Sequence, residues 1–276
     1  MPCFIRILTP DGLQPVDYSA ESLADAAKHE PREGVYTLTN TFNTFQVLKL
    51  DAHLDRLENS AQQVNIPLKL DRPRLRAALR EMIEEANYGN VRFRVTVPAN
   101  TPENLILSLE PFKPLAPEVY ANGVRCVTVS DAARTDPGAK TTDWMHDRQS
   151  IEAWLPPGIF TGLLLDQDGN ILEGLSSNFY AILNGELRTA GQGILPGISQ
   201  QIVFEVAPVI LPVRKEAIHV SEIPTIDEAF ITSASRGIVP VVEIDNIQIG
   251  DGAPGANTRA LREAYLAWVN EHLEDL

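Results

Sequence analysis

The sequence has little cysteine, a shortage of positive charge and no long apolar run. Its two cysteines, Cys3 and Cys126, are too few for a disulfide framework, so a reducing compartment is expected. Lys and Arg number 23 against 37 Asp and Glu, and a net charge of −14 argues against the basic stripe that nucleic acids require. No apolar stretch approaches the roughly 18 residues of a membrane span, and the first residues lack a secretory-signal pattern. These absences predict a cytoplasmic protein that binds neither nucleic acid nor membrane.

Metal-binding patterns are also missing. The five histidines show no paired spacing of the kind that zinc sites use. The segment Asp166-Gln167-Asp168-Gly169 has its glycine too early for a calcium loop, and no Glu closes such a loop. No metal site is therefore predicted.

The chain does contain enough apolar material for a folded core, with 44 % hydrophobic and 22 % charged residues among 276. Three prolines, Pro111, Pro114 and Pro117, interrupt the pattern and favour a linker. We expect a small N-terminal α/β domain over 1–113, an interdomain linker over 114–121 and a larger strand-rich domain over 122–276.

Apolar periodicity predicts the elements of both halves. Helices are expected over 20–29 with Ser19 as the cap, and over 51–64, 71–86, 198–206 and 258–274. Strands are expected over 4–8, 90–97, 104–109, 124–130, 162–165, 171–173, 178–183, 186–188, 228–232 and 239–244, with another near Val213. Two further strands, 35–42 and 45–50, are expected to pair across the turn at Asn43-Thr44.

Glu173 is the most informative single residue. It ends an apolar strand and is followed by Gly174-Leu175-Ser176-Ser177-Asn178 before another apolar strand. A carboxylate there is expected to be at least partly buried and to need a cationic or hydrogen-bonding partner. On the residues alone, a strand-end Glu satisfied by loop amides is an equally good interpretation.

The wider context resembles the class IV aminotransferases, the fold-type IV enzymes that use pyridoxal phosphate (PLP). These include branched-chain and D-amino-acid aminotransferases and aminodeoxychorismate lyase. Three motifs carry the resemblance in the family's order: His-x-x-Arg-Leu at residues 53–57, Lys140, and Glu-Gly-x-x-Ser-Asn from Glu173, followed by Pro196-Gly197-Ile198-Ser199. The resemblance covers about residues 34–240. It implies a two-domain α+β fold with a strand-rich pseudo-barrel, and a homodimer.

The resemblance also implies roles for individual residues. Lys140 would hold the cofactor aldehyde as a Schiff base and move a proton at the substrate carbon. Glu173 would keep the pyridine nitrogen protonated, and Arg56 would bind the phosphate with its planar fork. The other cofactor ligands implied are Ser177, Asn178, Gly197, Ile198, Ser199, Ser233, Ala234 and Ser235. Plainer interpretations stay open: a solvated loop lysine, a loop-capping Glu, and a helix arginine paired with a neighbouring acid.

The substrate is expected to be an amino acid or 2-oxo acid held by Tyr36, Asn40, Arg92 and Arg94. Arg92 and Arg94 alternate on one face of a strand, where they could bind a carboxylate or simply form an exposed edge.

The sequence departs from the family pattern in four ways: Asn40 replaces an arginine, Gln200 replaces another, Ala234 replaces a threonine, and Trp144-Met145 stand where a tyrosine is common. The expected activity is transfer of an amino group between an amino acid, branched-chain-like or other, and a 2-oxo acid. Two alternatives remain: a lyase that eliminates pyruvate, and a non-catalytic PLP-binding protein.

Overall fold

The computed structural model describes residues 2–130, 132 and 134–276. The α-helices among them are α1 (Leu23–Ala26), α2 (Leu50–Gln63), α3 (Arg72–Ala86), α4 (Pro117–Asn122), α5 (Thr142–Trp154), α6 (Ile198–Val206) and α7 (Ala256–Glu271). The strands are β1 (Phe4–Thr9), β2 (Gly12–Pro15), β3 (Gly34–Asn40), β4 (Gln46–Leu48), β5 (Val91–Pro98), β6 (Leu105–Pro111), β7 (Val124–Val129), β8 (Thr161–Leu165), β9 (Asn170–Gly174), β10 (Ser177–Leu183), β11 (Glu186–Arg188), β12 (Val213–Arg214), β13 (Ile218–His219), β14 (Glu228–Ser233), β15 (Gly237–Ile244), β16 (Ile247–Gln248) and β17 (Leu273–Asp275).

The chain forms two compact units. Unit 1 comprises Met1–Lys113, Ala139–Asp147 and His272–Leu276, and unit 2 comprises Pro114–Gly138 and Arg148–Glu271. The division differs from the expected domains in two respects. The segment around Lys140 and the last five residues belong to unit 1, and α4 occupies most of the expected linker.

Unit 1 is an antiparallel sheet, in the order β2-β1-β6-β5-β3, with α2 and α3 packed on one face. Its core joins Leu54 and Leu57 of α2 and Leu79 of α3 to Phe93 and Leu107 of the sheet, all of them buried. Both helices have apolar residues every three or four positions, so each buries one stripe against the sheet. α3 begins where the sequence predicts, because the Asp71 carboxylate accepts a hydrogen bond from the Arg74 amide at 3.1 Å.

Two predicted features of unit 1 are wrong. The first helix begins later than expected and is capped by Ser22 rather than Ser19, since the Ser22 hydroxyl accepts from the Asp25 amide at 3.1 Å. The predicted pairing across the Asn43-Thr44 turn is limited to one bridge, between Phe42 and Gln46. Beyond it, β3 pairs with β5, and β4 pairs with β17 near the end of the sequence. The last helix accordingly ends at Glu271, and residues 273–275 form β17.

Unit 2 contains a closed ring of strands. The order β10-β14-β15-β7-β8-β9 returns to its start because β9 also pairs with β10, through Gly174 with Ser177 and Glu173 with Asn178. The steps from β15 to β7 and from β7 to β8 are parallel, and the other steps in the ring are antiparallel. Buried side chains such as Cys126, Leu163 and Phe179 form its core. The ring places Glu173 and Asn178 side by side on neighbouring strands.

Among the described residues, no helix combines the length and apolarity needed to cross a bilayer. The same residues contain no cluster of His, Cys, Asp and Glu suited to a metal ion. Cys3 and Cys126 are both buried free thiols.

Candidate functional site

Lys140 lies in unit 1, where its main chain is held on two sides. The Tyr36 amide of β3 donates to the Lys140 carbonyl at 2.9 Å, and the Lys140 amide donates to Ser60 Oγ of α2 at 3.0 Å. The next residue, Thr141, forms a bridge with Val35, so this segment runs antiparallel along the edge of β3. Lys140 Nζ lies 4.6 Å from the centroid of the Tyr36 ring. The backbone hydrogen bonds therefore fix the position of the Lys140 main chain, and the Tyr36 ring packs against the side-chain amine.

Arg56 and His53 stand one turn apart on α2, on the same face of the helix. Both are buried, and Ser60 Oγ donates to the Arg56 carbonyl at 2.7 Å, which joins this turn of α2 to the Lys140 segment. His53 Nδ1 lies 3.0 Å from Thr37 Oγ1. Burial lowers the pKa of His53 well below 6.5, and the positive charges of Arg56 and Lys140 lower it further. The imidazole is therefore neutral at physiological pH, and the cations here are Arg56 and Lys140.

Arg94 does not have the expected place in a substrate site. Its side chain is 3 % exposed and forms an ion pair with Glu30, with Nε at 2.9 Å from Oε1. The same guanidinium donates to the Leu23 carbonyl at 2.9 Å, and Thr96 Oγ1 donates to the other Glu30 oxygen at 2.6 Å. A guanidinium enclosed in this way is used to attach the α1 region to the sheet, so we assign Arg94 a structural role.

The other expected substrate residues share one face of β3 and β5 with Arg94. Arg92 is half-exposed, and its Nη1 lies 3.4 Å from Glu110 Oε1. Asn40 pairs with Arg92 in the sheet, is buried, and donates through Nδ2 to the Thr41 carbonyl at 3.1 Å. Tyr36 lies on the same face, two residues along β3 from Leu38, which pairs with Arg94. Lys140 Nζ lies over the Tyr36 ring. Unit 1 therefore brings Tyr36, Arg56 and Lys140 together, while Asn40 and Arg92 lie further along the sheet.

Glu173 lies in unit 2 and has the cationic partner that its burial requires. It is 4 % exposed, and Arg134 Nη1 donates to Oε1 at 2.8 Å. The Leu195 amide donates to Oε2 at 3.2 Å. Sequence reasoning missed Arg134, because no spacing pattern links it to a strand 39 residues later.

Asn178 and Gly197 join this carboxylate to the start of α6. Asn178 Nδ2 donates to the Leu195 carbonyl at 2.9 Å, in the same segment whose amide contacts Glu173. A Cβ at Gly197 would lie 2.0 Å from Asn178 Oδ1, so only glycine allows this contact. Gly197 is the N-cap of α6, which leaves the first amides of the helix without partners inside it. The positive end of the helix dipole reinforces these donors, so an anion is favoured here.

A second polar segment lies at the turn between β14 and β15. Arg236 Nε donates to Ser233 Oγ at 2.7 Å, and its Nη2 donates to the carbonyl and hydroxyl oxygens of Ser176 at 3.2 and 3.0 Å. In the part of the chain that the structure describes, Ser177 Oγ and Ser235 Oγ are buried and have no hydrogen-bond partner. Buried hydroxyls usually have a hydrogen-bond partner in the protein, in ordered water or in a ligand. Ala234 contributes no polar side chain, and Arg236 had no counterpart among the predicted residues.

Solved structures share this architecture. A branched-chain aminotransferase from the archaeon Thermoproteus uzoniensis, solved with norvaline, superposes with a TM-score of 0.80 at 20 % identity, covering 100 % of this chain and 99 % of that one. A putative branched-chain amino acid aminotransferase from Thermotoga maritima gives a TM-score of 0.78 at 25 % identity, covering 97 % of this chain and 96 % of that one. The fold is that of the fold-type IV aminotransferases, which confirms the predicted fold class.

Sequence comparison identifies the family. The model for amino-transferase class IV matches residues 34–244, so the chain belongs to the class IV aminotransferases. It is 28 % identical to a putative branched-chain-amino-acid aminotransferase of Methanocaldococcus jannaschii, over 79 % of this chain and 81 % of that protein. It is 27 % identical to the D-alanine aminotransferase of Bacillus licheniformis, over 84 % and 86 %. These matches confirm the predicted family and the prediction that the chain is an aminotransferase.

Class IV aminotransferases are PLP-dependent, and the residues present fit that cofactor. The phosphate is a dianion, which suits the amides that open α6 and the hydroxyls near Arg236. The buried hydroxyl of Ser235 has no partner in the described chain and is of the type that a phosphate oxygen satisfies. An amine for the aldehyde and a buried carboxylate for the pyridine nitrogen are present as Lys140 and Glu173.

Proposed function

We propose that this chain is a PLP-dependent aminotransferase that moves an amino group between an amino acid and a 2-oxo acid, with Lys140 as its catalytic amine. The observation that carries the proposal is the environment of Lys140. Its main chain is held by β3 and α2, its Nζ lies over the Tyr36 ring, and the cationic Arg56 lies on the adjoining turn of α2. A solvated loop lysine would have none of these restraints.

Lys140 has two tasks in this proposal. Its amine would hold the aldehyde of the cofactor, and its Nζ would take the proton from the substrate Cα. PLP, when bound, supplies an acceptor for the electron pair that remains at that carbon. The Tyr36 ring limits the directions that Nζ can take, because it lies against one side of the amine.

Glu173 is assigned to the pyridine nitrogen, where a carboxylate keeps the nitrogen protonated. The donors from Arg134 and Leu195 each use one carboxylate oxygen. Two carboxylate oxygens offer about four acceptor positions, and these two bonds orient the group. Asn178 supports this arrangement because it holds the Leu195 carbonyl.

The phosphate is assigned to Arg56, the amides of Ile198 and Ser199, and the hydroxyls of Ser233 and Ser235. A guanidinium binds phosphate through two parallel donors, and helix-opening amides add further donors. Both suit a protein whose net charge of −14 otherwise repels anions. Ser177 is assigned to the same ligand set because its hydroxyl is buried and has no partner among the described residues.

For the substrate we retain Tyr36, Asn40 and Arg92 as candidate contacts and omit Arg94. The named relatives include enzymes for branched-chain amino acids and for D-alanine, so the donor needs to be determined directly. The deciding measurement is a screen of L- and D-amino acids with 2-oxoglutarate and pyruvate as acceptors. Formation of a new oxo acid only when an acceptor is present supports transamination, whereas pyruvate release without an acceptor identifies a lyase.

Replacing Lys140 tests the proposal most directly. Lys140→Ala should remove the visible absorbance of the lysine-bound cofactor and abolish amino transfer, because no other amine is assigned to the aldehyde. Borohydride treatment of the wild-type holoenzyme should fix the cofactor on the peptide that contains Lys140, as read by mass mapping. Lys113→Ala, which changes an exposed lysine, should leave both properties intact. Full colour in the Lys140 variant would refute the assignment.

A further inference from the structure

Tyr265 contacts the start of α6 from a different part of the sequence. It lies on α7, is 3 % exposed, and its hydroxyl donates to Ser199 Oγ at 2.9 Å. Ser199 is itself buried. Burial raises the pKa of Tyr265 to about 12, so the phenol keeps its proton at physiological pH and remains a donor. A buried tyrosine hydroxyl needs such a partner, but the choice of partner here also affects Ser199.

The direction of this hydrogen bond determines what Ser199 can do. A serine hydroxyl has one proton to donate and two lone pairs to accept with. Because Ser199 Oγ accepts from Tyr265, its own O–H points away from the tyrosine. Ser199 is the second residue of α6, whose opening amides are donors as well. Tyr265 thus adds the Ser199 hydroxyl to a group of donors suited to an anion.

The ring of Tyr265 also contacts the second polar segment. Gly237 ends the turn that carries Ser233 and Ser235, and it has a φ of +62°. A Cβ built on Gly237 would lie 3.2 Å from Tyr265 Cε1, which is closer than ordinary packing allows. The glycine therefore lets the turn approach the ring closely. One side chain touches both segments to which we assign the cofactor phosphate.

We propose that Tyr265 is a positioning residue for the cofactor phosphate, which orients the Ser199 hydroxyl as a donor and sets the separation between the start of α6 and the turn ending at Gly237. This inference rests on the proposed function, since it concerns the phosphate of PLP. Tyr265 acts through Ser199 and Gly237 and is assigned no contact with the substrate.

The test compares two ligands that differ only in the phosphate. Apo protein is titrated with PLP and, separately, with pyridoxal, which retains the aldehyde but has no phosphate. Tyr265→Phe should raise the dissociation constant for PLP about five- to tenfold, the effect of losing one hydrogen bond that supports a charged ligand. It should leave the dissociation constant for pyridoxal unchanged, because Lys140 and Glu173 are untouched. A general loss of packing would instead weaken the binding of both ligands by the same factor.

Ser199 provides the second part of the test. Ser199→Ala should weaken PLP binding by at least as much as Tyr265→Phe does. Adding Tyr265→Phe to Ser199→Ala should produce little further loss of PLP affinity, because the hydroxyl that Tyr265 orients is already gone. Ser199→Thr keeps the hydroxyl and should retain binding close to wild type. Tyr88→Phe is the matched control, since it removes a phenol hydroxyl that donates to the Pro2 carbonyl in unit 1.

Three outcomes would overturn the inference: unchanged PLP binding by the Tyr265 variant, equal losses for PLP and pyridoxal, or fully additive losses in the double variant. If Tyr265→Phe does not fold, the Ser199 series decides, and equal losses for the two ligands in Ser199→Ala then count against the inference. A wild-type protein that binds neither ligand would instead refute the proposed function.

Discussion

His53 shows how a single residue sets the charge around Lys140. Its imidazole is buried beside two cations and hydrogen-bonded to Thr37, so it packs as a neutral ring. A protonated His53 would add a third positive charge near Arg56 and Lys140. The neutral ring instead fills space at the start of α2 and leaves the positive charge to Arg56 and Lys140.

Neutral burial of His53 predicts a dependence of stability on pH. In the unfolded chain the residue titrates near its ordinary pKa of 6.5, whereas in the folded protein its pKa is lower. As the pH falls below 6.5 the unfolded state takes up a proton that the folded state does not, so folding loses up to about 1.4 kcal/mol per pH unit. His53→Gln should flatten this loss. The measurement is urea unfolding of apo protein between pH 5 and 7.5.

The control for this experiment is His272→Gln, which changes an exposed histidine. It should leave the slope of unfolding free energy against pH as in wild type. Parallel pH profiles for wild type and His53→Gln would show that His53 is not buried in its neutral form.

Among the elements, α1 depends on a buried ion pair for its attachment to β5. Glu30 follows the helical turn after α1, and its carboxylate binds Arg94 and Thr96 of the strand. Buried ion pairs bring little net stability, but removing one partner leaves the other charged and enclosed. The attachment is therefore sensitive to any change on either side.

Arg94→Leu should lower the free energy of unfolding by about 3 kcal/mol or more, because it leaves the Glu30 carboxylate buried without its cation. Arg92→Leu is the comparison, since Arg92 is half-exposed and pairs with Glu110; its loss should cost under about 1 kcal/mol. Chemical denaturation of the two variants measures both. A stable Arg94 variant with a sharply raised KM would favour the original assignment of Arg94 to the substrate.

Elements with a clear local pattern were predicted well. Helix α6 has the predicted bounds, and α2 and α3 begin or end within a residue of them, because apolar spacing and caps define them. Helix α5 was missed because the five residues between Met145 and Ile151 are all polar and interrupt the apolar spacing. The pairing of β4 with β17 was missed as well, since no local pattern links strands more than 220 residues apart.

The site could be predicted only where a motif is contiguous. Lys140, Glu173 and the start of α6 became candidates because their short motifs occur in the family's order, and the structure gives each a restrained environment. Arg134, Arg236 and Tyr265 were not predicted, because each contacts a candidate residue or its neighbour through a bond that spacing in one sequence does not encode.

Across the whole molecule, unit 1 is built from three separate stretches of chain. The last of them supplies a cap to an early helix: Glu274 Oε1 accepts from the Leu50 amide at 2.9 Å, at the start of α2. The local N-cap residue, Lys49, has a left-handed backbone and makes no capping bond with its side chain. The carboxylate also lies at the positive end of the helix dipole. A residue 224 positions away thus performs a task that is usually local.

Glu274→Ala should therefore cost about 1 kcal/mol of unfolding free energy, the usual effect of losing an N-cap. Deleting residues 272–276 should cost more, because it also removes the pairing of β17 with β4. Glu271→Ala, at an exposed position of α7, should be close to neutral. Thermal and urea unfolding of the three variants would test the ranking. A deletion as stable as wild type would show that β17 adds nothing to unit 1.

The late arrival of β17 has a consequence during biosynthesis. Residues 1–113 leave the ribosome well before the five residues that complete their fold. At typical elongation speeds the delay is on the order of ten to thirty seconds. For that interval the nascent chain has an α2 without its cap and an unpaired β4 edge, and such an edge can pair with a neighbouring polysomal chain.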